Sequence, residues 1–197
     1  MHSLQVSVLR ANQLDDVETV GKNDPYCRVS LVNDDKTKFQ KTAVKKDAGK
    51  NVEWNQTLTL EDFQPTQHHL LYVDILDDDL MSDAPIGFAA IPLSQVEHAT
   101  GRAMKGTFNL FTPGGKQKGT VSLFLAILSA GQGNVQVPDV SEMQGLSEID
   151  NDHQHRIKSM KRKEQATDAA MAAGVIGGLL GAKALFDGHK TAAKKEV

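Results

Sequence analysis

The chain has 197 residues, which at roughly 150 residues per domain allows one full domain and a remainder too small for a second core. Hydrophobic residues make up 40% and charged residues 24%, values close to those of globular proteins, which argues against a wholly disordered chain or a fibrous repeat. The net charge of −3 provides no positive field for a polyanion, so the sequence predicts no nucleic-acid partner.

Apolar and polar residues alternate from Leu4 to about Leu128, a period of two that predicts half-buried strands. The alternation is clearest at Leu4-Val6-Val8, Cys27-Val29-Leu31, Leu71-Val73-Ile75 and Val121-Leu123-Leu125-Ile127. Turn-forming clusters separate these segments, and only residues 93–100 suggest a short helix. Residues 1–128 are therefore predicted to form an all-β, antiparallel sandwich or barrel.

The composition changes after Leu128. Residues 129–154 contain glycine, proline and scattered acids without an apolar period, so we predict a linker there. Residues 155–197 form a basic and glycine-rich tail, in which an Ala/Gly-rich run predicts a short helical segment. The small-residue spacing of Gly174, Gly178 and Gly181 is typical of close helix contact. Self-association, an interfacial segment on an anionic membrane and an inactive tail remain alternatives.

Several features bear on cellular location. The single cysteine, Cys27, cannot form an internal disulfide, and the first ten residues lack the apolar stretch of a signal peptide. No window reaches the 18 or so consecutive apolar residues of a spanning helix. We expect a cytoplasmic protein.

Acidic residues crowd into two segments that follow predicted strands: Asp15, Asp16, Glu18 and Asp24 in one, and Asp77, Asp78, Asp79 and Asp83 in the other. Ionised carboxylates this close repel one another unless a cation, water or hydrogen bonds compensate them. If the two segments share one end of the sandwich, they supply the oxygen ligands that Ca²⁺ prefers. No Cys/His spacing suggests zinc.

The same region carries an ordered set of landmarks: Leu14, the segment 18–26 (ETVGKNDPY), Lys41-Thr42, the segment 51–56 (NVEWNQ), the segment 73–79 (VDILDDD) and Pro85-Ile86-Gly87. With them, residues 1–128 resemble the C2 domain family, the calcium- and lipid-binding module of conventional protein kinase C and the synaptotagmins. This resemblance implies an eight-stranded antiparallel β-sandwich.

The resemblance also implies a calcium site. Asp24, Asp77 and Asp79 match family ligands, and Asp83 corresponds to the last of them. Where the family usually has its first aspartate, this chain has Glu18, so Glu18, Asp15 or Asp16 could serve as the first-loop ligand. One ion is favoured over two.

Two kinds of lipid contact follow from the resemblance. Val20, Leu80 and Met81 would lie at the loop tips, where apolar side chains can enter acyl chains. Lys36, Lys38 and Lys41 lie on strands that line a lysine-rich face in the family, which implies phosphoinositide binding; an ordinary solvated edge strand is the alternative.

The sequence contains no Gly-x-Ser-x-Gly elbow and no phosphate-binding glycine loop before a helix, so we predict a non-enzymatic protein. Two functions compete. The first is a calcium-dependent adaptor that binds anionic phospholipid membranes reversibly. The second is a calcium-independent scaffold that binds phosphoinositides or proteins through the lysine-rich face or the tail.

Overall fold

The computed structural model describes residues 2–18 and 21–173. Its elements in chain order are β1 (His2–Asn12), β2 (Pro25–Ser30), β3 (Gln40–Lys41), β4 (Val52–Phe63), β5 (Leu70–Asp77), β6 (Ala84–Pro92), α1 (Ser94–Glu97), β7 (Ala103–Phe111), β8 (Gln117–Ser129), β9 (Met143–Gln144) and α2 (Asn151–Ala172). Single turns of 3₁₀ helix precede β3, at Lys36–Lys38, and β7, at Thr100–Arg102.

Eight strands form one path of hydrogen-bonded neighbours in the order β3-β2-β5-β6-β7-β8-β1-β4. All pairs along this path are antiparallel. The strand pairing of β6 with β7 is limited to Phe88 and Phe111, so the path divides there into two halves. The apolar phases of the two halves face each other and form one core, which confirms the predicted antiparallel sandwich.

The alternation along β2 decides which residues point away from this core. Cys27 and Val29 are fully buried in it, so Tyr26 and Arg28 lie on the outer face of the half formed by β3, β2, β5 and β6. The buried Asp74 of β5 pairs in register with Arg28 and lies on the same outer face. We call this surface the outer face.

Residues 129–150, which belong to the predicted linker 129–154, follow the surface of the sandwich closely. The buried Gln5 side chain bonds the amide and the carbonyl of Val135, both at 2.8 Å. Further along, β9 pairs with β7 in parallel, and Glu148 exchanges two backbone hydrogen bonds with Ala90 of β6. These contacts attach the segment to both halves; the domain boundaries at 128 and 154 stay a prediction.

Helix α2 covers the outer face. Asp150 caps its N-terminus by accepting a hydrogen bond from the His153 amide, at 2.8 Å. His153 and Ile157, one helical turn apart, are fully buried against the sheet. The His153 ring packs edge-on against the rings of Tyr72 and Phe88, with centroids 5.1 and 4.9 Å away. The helix begins four residues before the predicted tail boundary.

Asp74 anchors this helix. Its carboxylate accepts hydrogen bonds from Arg28 of β2 and from His153 and Arg156 of α2, at distances between 2.6 and 3.0 Å. Burial favours the neutral acid, but the His153 hydrogen bond and the charges of Arg156, His153 and Arg28 outweigh it and hold the pKa of Asp74 well below its ordinary value. The ionised carboxylate therefore ties α2 to the sheet.

Across the described ranges 2–18 and 21–173, no helix combines the length and the apolarity needed to cross a bilayer. Gly174, Gly178 and Gly181, to which the sequence assigns helix contact, lie outside those ranges.

Candidate metal centre

Three loops meet at one end of the sandwich: loop A (residues 13–24) between β1 and β2, loop B (42–51) between β3 and β4, and loop C (78–83) between β5 and β6. Backbone hydrogen bonds join them. The Asp78 amide donates to the Asp24 carbonyl at 3.2 Å, which links loop C to loop A, and the Gly49 amide donates to the Asn23 carbonyl at 2.9 Å, which links loop B to loop A. The two acidic segments therefore share one end of the fold.

Asn23 fixes the course of loop A from inside. Its side chain is fully buried, donates to the Asp15 carbonyl at 2.7 Å and accepts from the Val17 amide at 3.2 Å. This internal bridge brings Glu18 back toward the end of β5, where Asp77 and Asp79 lie.

Glu18, Asp77 and Asp79 each offer one carboxylate oxygen, and these three oxygens lie within 4.8 Å of one another. We call these residues the ion triad. Of the first-loop candidates that the sequence left open, the structure brings Glu18 into this group. Asp16 instead forms an ion pair with Lys50, with Oδ2 and Nζ 3.2 Å apart. The spacing of the triad suits one cation held between the loops.

Asp77 is the buried member of the triad, with 1% of its surface exposed. One oxygen accepts a hydrogen bond from the Asp24 amide, while Oδ2 is buried with no hydrogen-bond partner among the described residues. Burial, with the negative charges of Asp79, Glu18 and Asp24, raises the pKa of Asp77 to about 7. Such an oxygen is poorly satisfied by the protein and is suited to a metal ion.

Asp79 shares this environment. Burial, followed by the charge of Glu18, raises its pKa to about 6. The charges of Asp168 and Glu164 of α2 add to this effect. The end of the sandwich thus holds more negative charge than its own cations neutralise.

Asp24 is adjacent to the triad but is engaged elsewhere. Its Oδ2 accepts from the Lys46 ammonium at 2.9 Å, and its Oδ1 accepts from the Asp47 amide at 2.6 Å. Lys46 also donates to Asp78 Oδ2 at 2.9 Å. The hydrogen bond from Lys46 is the main cause that lowers the pKa of Asp24. The carboxylate is ionised and already paired.

Asp83, predicted as the last ligand, accepts a hydrogen bond from the Tyr26 hydroxyl at 2.7 Å. This bond holds the end of loop C against β2. Asp83 lies outside the triad in this arrangement, and its role as a ligand stays a prediction.

Apolar side chains project from the same end of the molecule. Leu80 is 86% exposed and Met81 is 40% exposed, both in loop C directly after Asp79. Val20, predicted as their counterpart in loop A, lies outside the described residues. Leu80 and Met81 thus place exposed apolar surface directly beside the acidic cluster.

The lysine-rich face is differently arranged. Lys36 and Lys38 lie on the 3₁₀ turn before β3, and Lys41 lies on β3 with its ammonium 5.3 Å from the centroid of the Tyr26 ring. Lys41 is thereby on the outer face, which α2 partly covers: Arg156 lies over the Phe39 ring at 5.0 Å. All three lysines are exposed, and their lipid contact stays a prediction.

Two sets of contacts could not be predicted from the spacing of residues in the sequence. They are the ion pair of Lys46 with Asp24 and the contacts of His153 and Arg156 with Asp74. Lys46 is separated from Asp24 by 22 residues in the sequence. His153 and Arg156 are 79 and 82 residues from Asp74. The available signal is the charged Asp74 between the apolar residues Val73 and Ile75 of β5, which indicates a buried partner somewhere in the chain.

The C2 domain profile matches residues 2–110, more than half of the chain. The chain belongs to the C2 domain family. It is 31% identical over 125 residues to Protein SRC2 homolog of Arabidopsis thaliana, covering 60% of this chain and 38% of that protein. It is 32% identical over 98 residues to human Synaptotagmin-7, covering 48% of this chain and 24% of that protein. The chain thus spans well under half the length of these curated relatives.

Solved structures agree on the fold. A single C2 domain of plant Extended Synaptotagmin 1 superposes with a TM-score of 0.55 at 22% identity, over 66% of this chain and 96% of that one. The calcium-bound pair of C2 domains of Extended-Synaptotagmin 2 gives a TM-score of 0.52 at 26% identity, over 64% of this chain and 45% of that one.

Proposed function

We propose that this chain is a non-enzymatic adaptor that binds anionic phospholipid membranes reversibly and in a calcium-dependent manner, from the cytoplasm. The observation that carries the proposal is the ion triad, in which Asp77 keeps a buried Oδ2 that has no hydrogen-bond partner among the described residues. The family membership and the calcium-bound relative support it.

The donor set fits Ca²⁺. Three carboxylates offer hard oxygen ligands from two loops, and a calcium ion accepts six to eight oxygens in flexible geometry. Glu18, Asp77 and Asp79 would hold the ion, which supplies positive charge and free coordination positions for lipid phosphate or carboxylate oxygens. Mg²⁺ fits less well because it requires near-octahedral geometry and retains its waters.

The chain's own residues then supply the membrane contact. Neutralising Glu18, Asp77 and Asp79 removes the repulsion between this end of the molecule and an anionic leaflet. Leu80 and Met81, already exposed, enter the interface, and a fully buried side chain of this kind contributes about 1.5 to 3 kcal/mol. The switch is electrostatic and requires no large rearrangement of the sandwich.

Sedimentation with vesicles of phosphatidylcholine and phosphatidylserine tests the proposal. Full-length protein is expected to pellet with Ca²⁺ and to stay in the supernatant with chelator, because the uncompensated triad repels the vesicle. The double variant Asp77→Asn, Asp79→Asn removes two ligands and is expected to lose the calcium-dependent fraction.

The matched control is Glu61→Gln with Asp62→Asn, which removes two exposed charges from the end of β4. This control is expected to pellet like the wild type. Equal pelleting of the wild type with and without Ca²⁺ would favour the scaffold function instead, and Lys38→Ala with Lys41→Ala would then be the decisive variant on phosphoinositide vesicles.

A further inference from the structure

Loop B places positively charged lysine side chains beside a site that the sequence assigns to loops A and C alone. Lys45 and Gly49 donate backbone hydrogen bonds to the Pro25 and Asn23 carbonyls, at 3.1 and 2.9 Å, and the Leu14 amide of loop A donates to the Lys50 carbonyl at 3.0 Å. These bonds fix loop B beside Asp24. The backbone of loop B thus places the Lys46 ammonium where a divalent cation would approach.

Lys46 contacts two carboxylates of two different loops, Asp24 and Asp78, each at 2.9 Å. The Asp47 amide takes the second oxygen of Asp24. With both oxygens engaged, Asp24 is next to the ion triad without belonging to it, although its own amide donates to Asp77. One lysine and one backbone amide of loop B therefore keep the Asp24 carboxylate out of the ion triad.

We infer that Lys46 withholds Asp24 from the divalent cation and thereby sets the calcium concentration at which the site fills. The inference rests on the proposed function, and Asp77 Oδ2, which has no hydrogen-bond partner within the described ranges 2–18 and 21–173, is the independent sign that the triad takes a cation. If Asp24 is to become a fourth ligand, the Lys46 ammonium must leave its carboxylate, because an ammonium and a calcium ion bound to the same carboxylate repel each other. Lys46 thus determines the affinity of the site for Ca²⁺.

Calcium titration calorimetry on the full chain tests this inference with Lys46→Met, which removes the ammonium and keeps a linear side chain. The affinity for Ca²⁺ is expected to rise about tenfold, as for a contact between directly coupled groups. Lys45→Met is the matched control, because Lys45 is the neighbouring residue in the same loop and carries the same charge. The control is expected to change the affinity by less than about twofold.

A double-mutant cycle separates a specific effect from a change in overall charge. In an Asp24→Asn background, Lys46→Met is expected to give no larger gain than Lys45→Met, because the carboxylate that Lys46 withholds is gone. A gain that persists in full without Asp24 would overturn the inference.

The outcomes distinguish this inference from the proposed function. Calcium binding by the wild type with an unchanged affinity in Lys46→Met would overturn the role of Lys46 and leave the ion triad intact. No calcium binding by either protein would overturn both.

Discussion

At the scale of single residues, the Asp77 carboxylate lies in a position that is unfavourable for the protein without a bound ligand. Asp77 is buried, keeps one oxygen without a partner among the described residues and stands among other negative charges. A buried charge without a counter-charge opposes folding. Such a residue is typical of a site whose stability depends on a ligand.

Asp77→Asn is therefore expected to stabilise the calcium-free protein by about 1 to 3 kcal/mol at pH 8, because it removes an incompletely compensated charge. The gain has a defined pH dependence. Asp77 has a pKa of about 7 in the folded protein against an ordinary value of 3.8, so its contribution to stability falls as the pH rises between these values. Chemical denaturation at pH 8 and pH 4 measures this, and the two proteins should converge at pH 4.

The contrary result would be a loss of stability at pH 8 without calcium. It would mean that the Asp77 carboxylate is satisfied within the calcium-free protein, so that its buried Oδ2 would no longer indicate a metal site.

At the scale of elements, α2 is held by a few polar contacts and not by an extended apolar stripe. Only His153 and Ile157 of the helix are fully buried, while Asp74 receives hydrogen bonds from both His153 and Arg156. Removing one partner of a buried ion pair is costly because the remaining charge loses its compensation. The docking of α2 therefore depends on the charge balance around Asp74.

Arg156→Met is expected to loosen α2 while leaving the sandwich folded, because Arg28 and His153 still compensate Asp74. Hydrogen exchange of the α2 amides should accelerate about tenfold or more, whereas exchange in β1 and β8 should change little. Arg162→Met, an exposed arginine further along the same helix, is the control and should leave both rates unchanged. Equal protection of α2 in Arg156→Met would show that apolar contacts alone hold the helix.

At the scale of the whole molecule, the sandwich could be predicted because strands such as β4 and β7 alternate buried and more exposed positions, although β6 is buried at eight consecutive positions. Cys27 and Val29 face the core as their phase in β2 predicts, and the landmark segments place the acidic loops at one end. The triad members Glu18, Asp77 and Asp79 were all among the candidate ligands, because the crowding of acidic residues within each segment and the C2 landmarks are visible in the sequence itself.

Long-range pairings could not be predicted from the sequence, for a physical reason. The contact between Lys46 and Asp24, and the clamp of His153 and Arg156 on Asp74, depend on how loops and helix pack, which no local pattern encodes. Part of the attachment of residues 129–150 uses backbone groups of Val135 and Glu148, and no sequence signal marks such contacts because every residue possesses these groups.

Calorimetric titration of Ca²⁺ into the full chain at pH 8 and pH 5.5 tests the central claim, that carboxylates from two loops converge to hold a divalent cation. Because the pKa values of Asp77 and Asp79 are about 7 and 6, both are ionised at pH 8 and largely protonated at pH 5.5. Binding is expected at pH 8, with an affinity at least about tenfold lower at pH 5.5, and no binding is expected in the double variant Asp77→Asn, Asp79→Asn. No heat of binding by the wild type at pH 8, or equal binding by the double variant, would contradict it.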